Sequence, residues 1–313
     1  MINAVIDIGT NTLILLVAEP QKKGIKVLHD ESVITRLGQG LINNHFFLPE
    51  AMRRTMAVLS RFKKICEAHK VKKISAVGTA AFRHAANASV FIDKVKKECG
   101  FKIDVISGEE EARYTFYAAW KDFGGGGKKL IVVDIGGGST EIITGPLSPK
   151  KPHPGTAISL GLGTVRLTEQ YGQSDPLSKN DFDRLLKVIQ NGLKDELDGF
   201  YPPVFEPQKC LLVATAGTAT TLAAMRRQMT VFNPAKVHGT TLTKDNIQKL
   251  IELVAPKTVK ERQKLPGLEP LRADVILSGA LLLNEILNYF RQKSAVISDR
   301  GLRYGVFYQK YLK

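Results

Sequence analysis

Asp7-Ile8-Gly9-Thr10-Asn11-Thr12 and Asp134-Ile135-Gly136-Gly137-Gly138-Ser139-Thr140 repeat one pattern within a single chain. Each follows a short apolar run, Ala4-Val5-Ile6 or Leu130-Ile131-Val132-Val133, that reads as a buried strand. Each leads into a second β-rich run, Leu13 to Val17 or Glu141 to Thr144. The order is therefore strand, tight glycine turn, strand. Glycine lets backbone N–H groups come close to an anion, and Ser or Thr adds a hydroxyl donor. The Asp that ends the first strand can hold Mg²⁺, directly or through water, because hard oxygen ligands suit that ion. The nucleotide P-loop is a different device, with Gly-Lys-Ser/Thr opening a helix. Two such hairpins imply two similar half-molecules gripping a polyanion from both sides.

The chain has 313 residues, enough for about two domains with separate cores. An apolar fraction of 43% and a charged fraction of 24% belong to a soluble globular protein. Its apolar stretches, Leu13 to Ala18 among them, are too short to span a bilayer, and no signal segment precedes the first strand. Cys66, Cys99 and Cys210 are odd in number and widely spaced, which fits neither a disulfide framework nor a zinc site, so a cytoplasmic location is expected. Lys and Arg number 45 against 30 Asp and Glu, a net charge of +15. That balance concentrates anionic partners near the surface, although a generically basic protein would show it too.

Strand-like runs alternate with helical ones throughout, which argues for the α/β class. A helix is expected from Pro49 to about Lys70, with Arg53, Arg54, Arg61, Lys63 and Lys64 mostly off its apolar side. Those residues make either a polyanion path or a solvated face. A strand at Ile74 to Val77 precedes a turn at Gly78-Thr79 and a helix over Ala80 to Glu98. Helices are also expected over Arg272 to Phe290 and Arg300 to Tyr311, with a strand at Val296 to Ser298. The glycine run Gly124 to Gly127 has no hydroxyl or Asp beside it, so it reads as a linker and marks the domain boundary. Pro146 to Pro154 and Pro202 to Pro207 read as surface loops.

Ser107 and Glu110 have capping-box spacing, so a helix starts there and runs to about Trp120. Glu109, Glu110 and Glu111 fall in its first turn, where the helix dipole favours their ionised forms and mutual repulsion opposes it. They are either ordinary helix-start acids or include a base for an attacking water. Arg83 lies one turn beyond Gly78-Thr79 and is either a bidentate phosphate donor or half of an ion pair. Leu160 to Arg166 is a further glycine turn, and Ala214 to Thr221 a small-residue loop between a strand and a helix. The six histidines lack metal-ligand spacing, and no Gly-x-Ser-x-Gly or Cys-x-x-Cys occurs, which argues against zinc chemistry and against Ser or Cys nucleophiles.

Together these segments resemble the exopolyphosphatase/guanosine pentaphosphate phosphohydrolase (Ppx/GppA) family. The matching stretches are Asp7 to Thr12, Gly78 to Asn87, Ser107-Gly-Glu-Glu-Glu-Ala-Arg113, Asp134-Ile-Gly-Gly-Gly-Ser-Thr-Glu141, Leu160 to Glu169, Ala216 to Leu222, Arg272 to Leu277 and Ser298 to Arg303. They occur in family order over nearly the whole chain. The resemblance implies an α/β fold of two actin-like (ribonuclease H-like) domains facing across a cleft. The first would span 1–123, with 299–313 returning to it, and the second 124–298. It implies Glu111 as the catalytic residue. Gly9, Thr10, Asn11, Thr12, Arg83, Gly136, Gly137, Gly138, Ser139 and Thr140 would be the phosphate ligands. Asp134 and Glu141, with Asp7, would hold Mg²⁺ or another divalent cation. Two positions after Thr12, where relatives often carry a basic or polar residue, this chain has Ile14. Ala216-Gly217-Thr218 departs from the Gly-Gly-Thr turn of the kinases on this fold.

The implied reaction is hydrolysis of the terminal phosphate of inorganic polyphosphate, with guanosine pentaphosphate as the alternative substrate. Phosphoryl transfer to water needs positioning and charge neutralisation more than covalent chemistry. A homodimer is implied by the family alone, and neither a membrane nor nucleic acid is the expected partner. The competing expectation of another class is a basic module that binds polyphosphate or nucleic acid without turnover.

Overall fold

The computed structural model describes residues 1–22, 24–124, 129–145, 155–172, 174–200 and 206–312. It contains two compact units, Met1–Ala118 with Leu302–Lys313, and Ala119–Gly301. Residues 125–127 of the glycine run, and the expected loops at 146–154 and 202–205, lie outside the described residues.

In the first unit, β1 (Asn3–Ile8), β2 (Thr12–Pro20), β3 (Ile25–Ile34), β4 (Lys73–Gly78) and β5 (Ile103–Val105) form one sheet in the order β3-β2-β1-β4-β5. The first three strands are antiparallel, while β4 and β5 run parallel to β1. Both faces of β1 are covered, so its centre, Ala4-Val5-Ile6, is continuously apolar rather than alternating. Successive side chains still part to opposite faces. Ile6 and Ile8 join Phe62 and Phe91 beneath the helices Pro49–Ala68 and Ala88–Cys99. Val5 joins Leu16, Val77, Ala118 and Phe307 beneath the helices Gly108–Phe123 and Leu302–Tyr311. The basic residues Arg53, Arg54, Arg61 and Lys64 are exposed.

The second unit repeats the plan. β6 (Lys129–Ile135), β7 (Thr140–Gly145), β8 (Thr156–Leu160), β9 (Cys210–Thr215), β10 (Thr241–Thr243) and β11 (Ser294–Ile297) form a sheet in the order β10-β11-β9-β6-β7-β8. β6 pairs antiparallel with β7 and parallel with β9, as β1 does with β2 and β4. The registers correspond as well. Asp7 lies opposite Ile14 on one side and Val77 on the other. Asp134 lies opposite Glu141 and Thr215.

Three helices differ from their sequence expectations. The helix expected over Ala80 to Glu98 is two, Ala80–His84 and Ala88–Cys99. Asn87 explains the break: its side chain accepts from the Phe47 N–H at 2.8 Å and donates to the Phe47 carbonyl at 3.1 Å. The helix expected from Arg272 begins at Ile276, after a 3₁₀ turn over Pro270–Arg272. The last helix begins at Leu302 rather than Arg300, because Ser298 Oγ accepts the Arg300 N–H at 3.1 Å and holds a turn there. No helix among the described residues is long and apolar enough to cross a membrane.

Candidate active site

The hairpin turns have three and four residues between their strands, 9–11 and 136–139, and each is closed by one backbone bond. Gly9 N–H donates to the Thr12 carbonyl, and Gly136 N–H to the Ser139 carbonyl, both at 3.0 Å. Among the described residues, the N–H groups of Thr10, Asn11, Gly137, Gly138 and Ser139 have no backbone partner. The loop carbonyls, in contrast, are engaged. Asn11 O accepts from Thr35 and Arg36 N–H, and Thr10 O from Gly38 N–H. Gly136 O accepts from Thr164 N–H, and Gly137 O from Val165 and Arg166 N–H. The first-turn donors of the helix Thr164–Tyr171 thus hold the carbonyl edge of the second loop, leaving its N–H edge available to an anion.

This contact gives the glycine turn at Leu160 to Arg166 a role that sequence alone left open. A Cβ on Gly163 would stand 2.3 Å from Gly138 C, 2.4 Å from Gly137 O and 2.5 Å from Ser139 N, all backbone atoms. Gly163→Ala must therefore displace the loop. The expected outcome is a loss of about 1–3 kcal/mol in denaturant unfolding, with phosphate release lowered by about tenfold or more as the loop donors move.

The hydroxyls at the end of this loop have other partners. Thr140 is fully buried and its Oγ1 donates to the Leu162 carbonyl at 2.5 Å, so its hydroxyl braces the turn. Ser139 Oγ donates to Glu141 Oε1 at 2.7 Å, and Ser159 Oγ donates to the same oxygen at 2.8 Å. Glu141 is 1% exposed, and Asp134, its partner across β6 and β7, is 8% exposed. Thr215, on the other side of Asp134, is also buried.

The donor set in the second unit is all oxygen: two carboxylates side by side, and the orphaned buried hydroxyl of Thr215. Among the described residues no group of three or more His, Cys, Asp or Glu gathers as a metal cage. These residues fit Mg²⁺, which keeps several waters and takes one or two carboxylates together with substrate phosphate. They do not suit a soft or fully caged ion.

In the first unit the capping box forms in full. Ser107 Oγ accepts from Glu110 N–H at 3.1 Å, and Glu110 Oε2 accepts from Ser107 N–H at 2.9 Å. This fixes the start of the helix Gly108–Phe123 and separates its three acids. Glu109 and Glu110 are exposed, whereas Glu111 is buried. Glu111 Oε2 accepts from Arg83 Nη1 at 2.9 Å, and the same nitrogen donates to the Ile106 carbonyl at 3.0 Å. Arg83 is therefore an ion-pair partner of the candidate base, the second of the two alternatives its sequence position left open.

Asp7 has a different setting. Burial pushes its carboxyl up to about 7, partly offset by the Arg303 charge. Arg303 is itself held by Asp30, through Nε at 2.9 Å and Nη2 at 3.0 Å, and the Tyr304 hydroxyl donates to the same carboxylate at 3.0 Å. Sequence reading assigned Arg303 no role, and its pairing with Asp30 joins residues far apart in the chain. In the second unit, the Arg272 guanidinium lies over Gly217, where a Cβ would stand 2.1 Å from Nη1, and burial pushes Arg272 down to about 10. Cys66, Cys99 and Cys210 are buried, with their thiols pushed up by burial, which removes them as nucleophiles.

Comparison with known proteins agrees with this arrangement. Residues 16–313 match the model of the Ppx/GppA phosphatase family. The chain is 33% identical over 309 residues to a bifunctional 3-dehydroquinate synthase/phosphatase of Fusobacterium nucleatum, covering 95% of this chain and 45% of that protein, so it spans about half of that relative. It is 30% identical over 302 residues to exopolyphosphatase 2 of Mycobacterium tuberculosis, covering 94% of this chain and 92% of the relative. The crystal structure of the Aquifex aeolicus Ppx/GppA family member matches with a TM-score of 0.80 at 33% identity, over 99% of this chain and 97% of the other. Paired glycine hairpins, a buried glutamate at a capped helix start and the family match over nearly its whole length place the chain in the Ppx/GppA phosphatase family.

Proposed function

We propose that the protein is a divalent-cation-dependent exopolyphosphatase, releasing orthophosphate from the end of inorganic polyphosphate by in-line attack of water. The observation that carries this reading is Glu111, the one buried acid of its helix turn, held by Arg83 at 2.9 Å. A module that only binds polyanions has no use for a buried carboxylate held in place by an arginine. Family membership and the similarity to an exopolyphosphatase over nearly the full length of both chains support the same conclusion.

Glu111 accepts the proton of the attacking water while Arg83 fixes the carboxylate's orientation. The water oxygen forms the new bond to phosphorus as the terminal phosphoanhydride bond breaks. The electron pair leaves with the shortened chain. The partner-free backbone N–H groups of the hairpin loops, Thr10 and Asn11 in the first unit and Gly137, Gly138 and Ser139 in the second, are the donors that would receive non-bridging oxygens. Asp134 and Glu141 would hold Mg²⁺, with Asp7 a further ligand. When bound, the ion supplies charge neutralisation on the transferring phosphoryl group.

The test is phosphate release from polyphosphates of graded length and from guanosine pentaphosphate, with Mg²⁺ and then with chelator. Release from polyphosphate that chelator abolishes is the expected result. Release from guanosine pentaphosphate alone would change the substrate and keep the mechanism. Steeply salt-dependent binding without release from either would overturn the enzyme reading in favour of a binding module.

A further inference from the structure

The second hairpin carries a row of oxygens that the first lacks. Register sets Glu141, Asp134 and Thr215 side by side on β7, β6 and β9. The corresponding row on β2, β1 and β4 is Ile14, Asp7 and Val77. Residues in register on neighbouring strands project to the same face, so Thr215 stands beside Asp134 as Val77 stands beside Asp7.

Thr215 is 1% exposed, and its Oγ1 has no hydrogen-bond partner among the described residues. Buried hydroxyls are nearly always satisfied, so this one calls for a reason. The ordinary account is helix capping, because Thr215 is the N-cap of the helix Ala216–Arg226. An N-cap threonine accepts a hydrogen bond from an N–H two or three residues on. Thr215 makes no such bond. Capping therefore does not account for the hydroxyl.

Gly301 shows where it is directed. A Cβ built on Gly301 would lie 3.1 Å from Thr215 Oγ1 and 3.8 Å from Asp134 Oδ2, so the hydroxyl and the carboxylate converge on one point beside a residue with no side chain. The turn that brings Gly301 there is fixed by Ser298, whose N–H donates to the Ala214 carbonyl at 2.9 Å and whose Oγ donates to the Arg300 carbonyl at 3.1 Å.

We infer that Thr215 is a positioning residue of the cation site: its hydroxyl holds a water of the hydrated ion bound by Asp134, and Gly301 is bare to leave room for that water. The inference rests on the cation reading proposed above. Partners that orient a metal's ligands and waters typically matter 10–100-fold in affinity when removed.

The experiment measures Mn²⁺ alone binding to the full chain without substrate, by electron paramagnetic resonance. Thr215→Val exchanges the hydroxyl for a methyl and reproduces the first unit's Val77. It is expected to weaken Mn²⁺ binding by about tenfold, with an unchanged or raised melting temperature. Thr215→Ser is expected to restore affinity. Gly301→Ala, which fills the point of convergence, is expected to weaken binding in the same way and provides the test should the valine variant fail to fold. A lowered melting temperature with unchanged Mn²⁺ affinity would make Thr215 structural and overturn the inference. Asp134→Asn separates the two readings. If it abolishes binding while Thr215→Val and Gly301→Ala bind as wild type, only the Thr215 inference fails. If Asp134→Asn also binds as wild type, the cation reading fails with it.

Discussion

Glu111→Gln keeps its fold and lowers phosphate release from polyphosphate by about 10²–10⁴-fold, the loss that follows removal of a well-placed general base. The substitution is nearly isosteric, and the amide oxygen can still accept from Arg83 Nη1, now 2.9 Å from the carboxylate. What it removes is the capacity to take a proton from water. The neighbouring acids supply the control within the same helix turn. Glu109→Gln alters an exposed residue, and Glu110→Gln retains a side chain able to complete the capping box with Ser107. Both are expected to turn over within a few-fold of wild type. Polyphosphate binding, measured separately by filter retention, should survive in all three. A Glu111→Gln protein that releases phosphate at the wild-type rate removes the base from this residue.

Asp7→Asn is expected to stabilise the cation-free protein at neutral pH while impairing its activity. The folded carboxyl ionises at about 7, against 3.8 for an unperturbed one, because burial outweighs the Arg303 charge. The sign follows from proton binding. Between about pH 4 and pH 7 the unfolded chain gives up this proton and the folded chain retains it, so stability falls as pH rises through that window and is flat on either side. Asparagine has nothing to ionise and escapes the penalty. Its advantage should be absent at pH 4 and reach on the order of 2–4 kcal/mol at pH 8. Denaturant unfolding at several pH values in the presence of chelator measures it. A difference between the two proteins that does not change with pH would show that Asp7 ionises normally. A carboxylate retained at such cost is consistent with a role toward the cation or the attacking water.

The central strands and their turns were legible in the sequence because burial on both faces gives β1 and β6 unbroken apolar runs, and the glycine turns interrupt them sharply. The capping box was legible because it is local, with both of its bonds spanning three residues. The peripheral strands were not. β3 is ten residues long but has no alternating pattern, its polar run 29–32 sitting between apolar pairs at the sheet edge, and β5 and β10 have only three residues each. The break at Asn87 depends on Phe47, forty residues away, so local propensity could not show it.

The site divides along the same line. Its residues were identified from motifs, but their partners were set by tertiary structure. The three adjacent glutamates are alike in composition; the family resemblance pointed to Glu111, and the fold separates it from its exposed neighbours by burying it against Arg83. Thr140 and Ser139 carry the hydroxyls that anion binding needs, yet the fold turns them to Leu162 and Glu141. Thr215 sat in a small-residue loop with no distinguishing neighbour, and only strand register brings it beside Asp134.

The matched registers also make the chain its own reference molecule. The two hairpins share their turn bond, their aspartate and their sheet order, and they differ at the flanking positions Ile14 and Val77 against Glu141 and Thr215. Isoleucine and valine are favoured on a pleated surface at least as well as glutamate and threonine. The Ile14 and Val77 pair therefore suits its sheet on packing grounds alone, whereas the buried Glu141 depends on the hydrogen bonds from Ser139 and Ser159 to offset its desolvation. On the cation reading proposed above, adding that role to one of two anion-gripping halves takes only the exchange of these flanking pairs, and hybrid proteins that exchange them could test it one residue at a time.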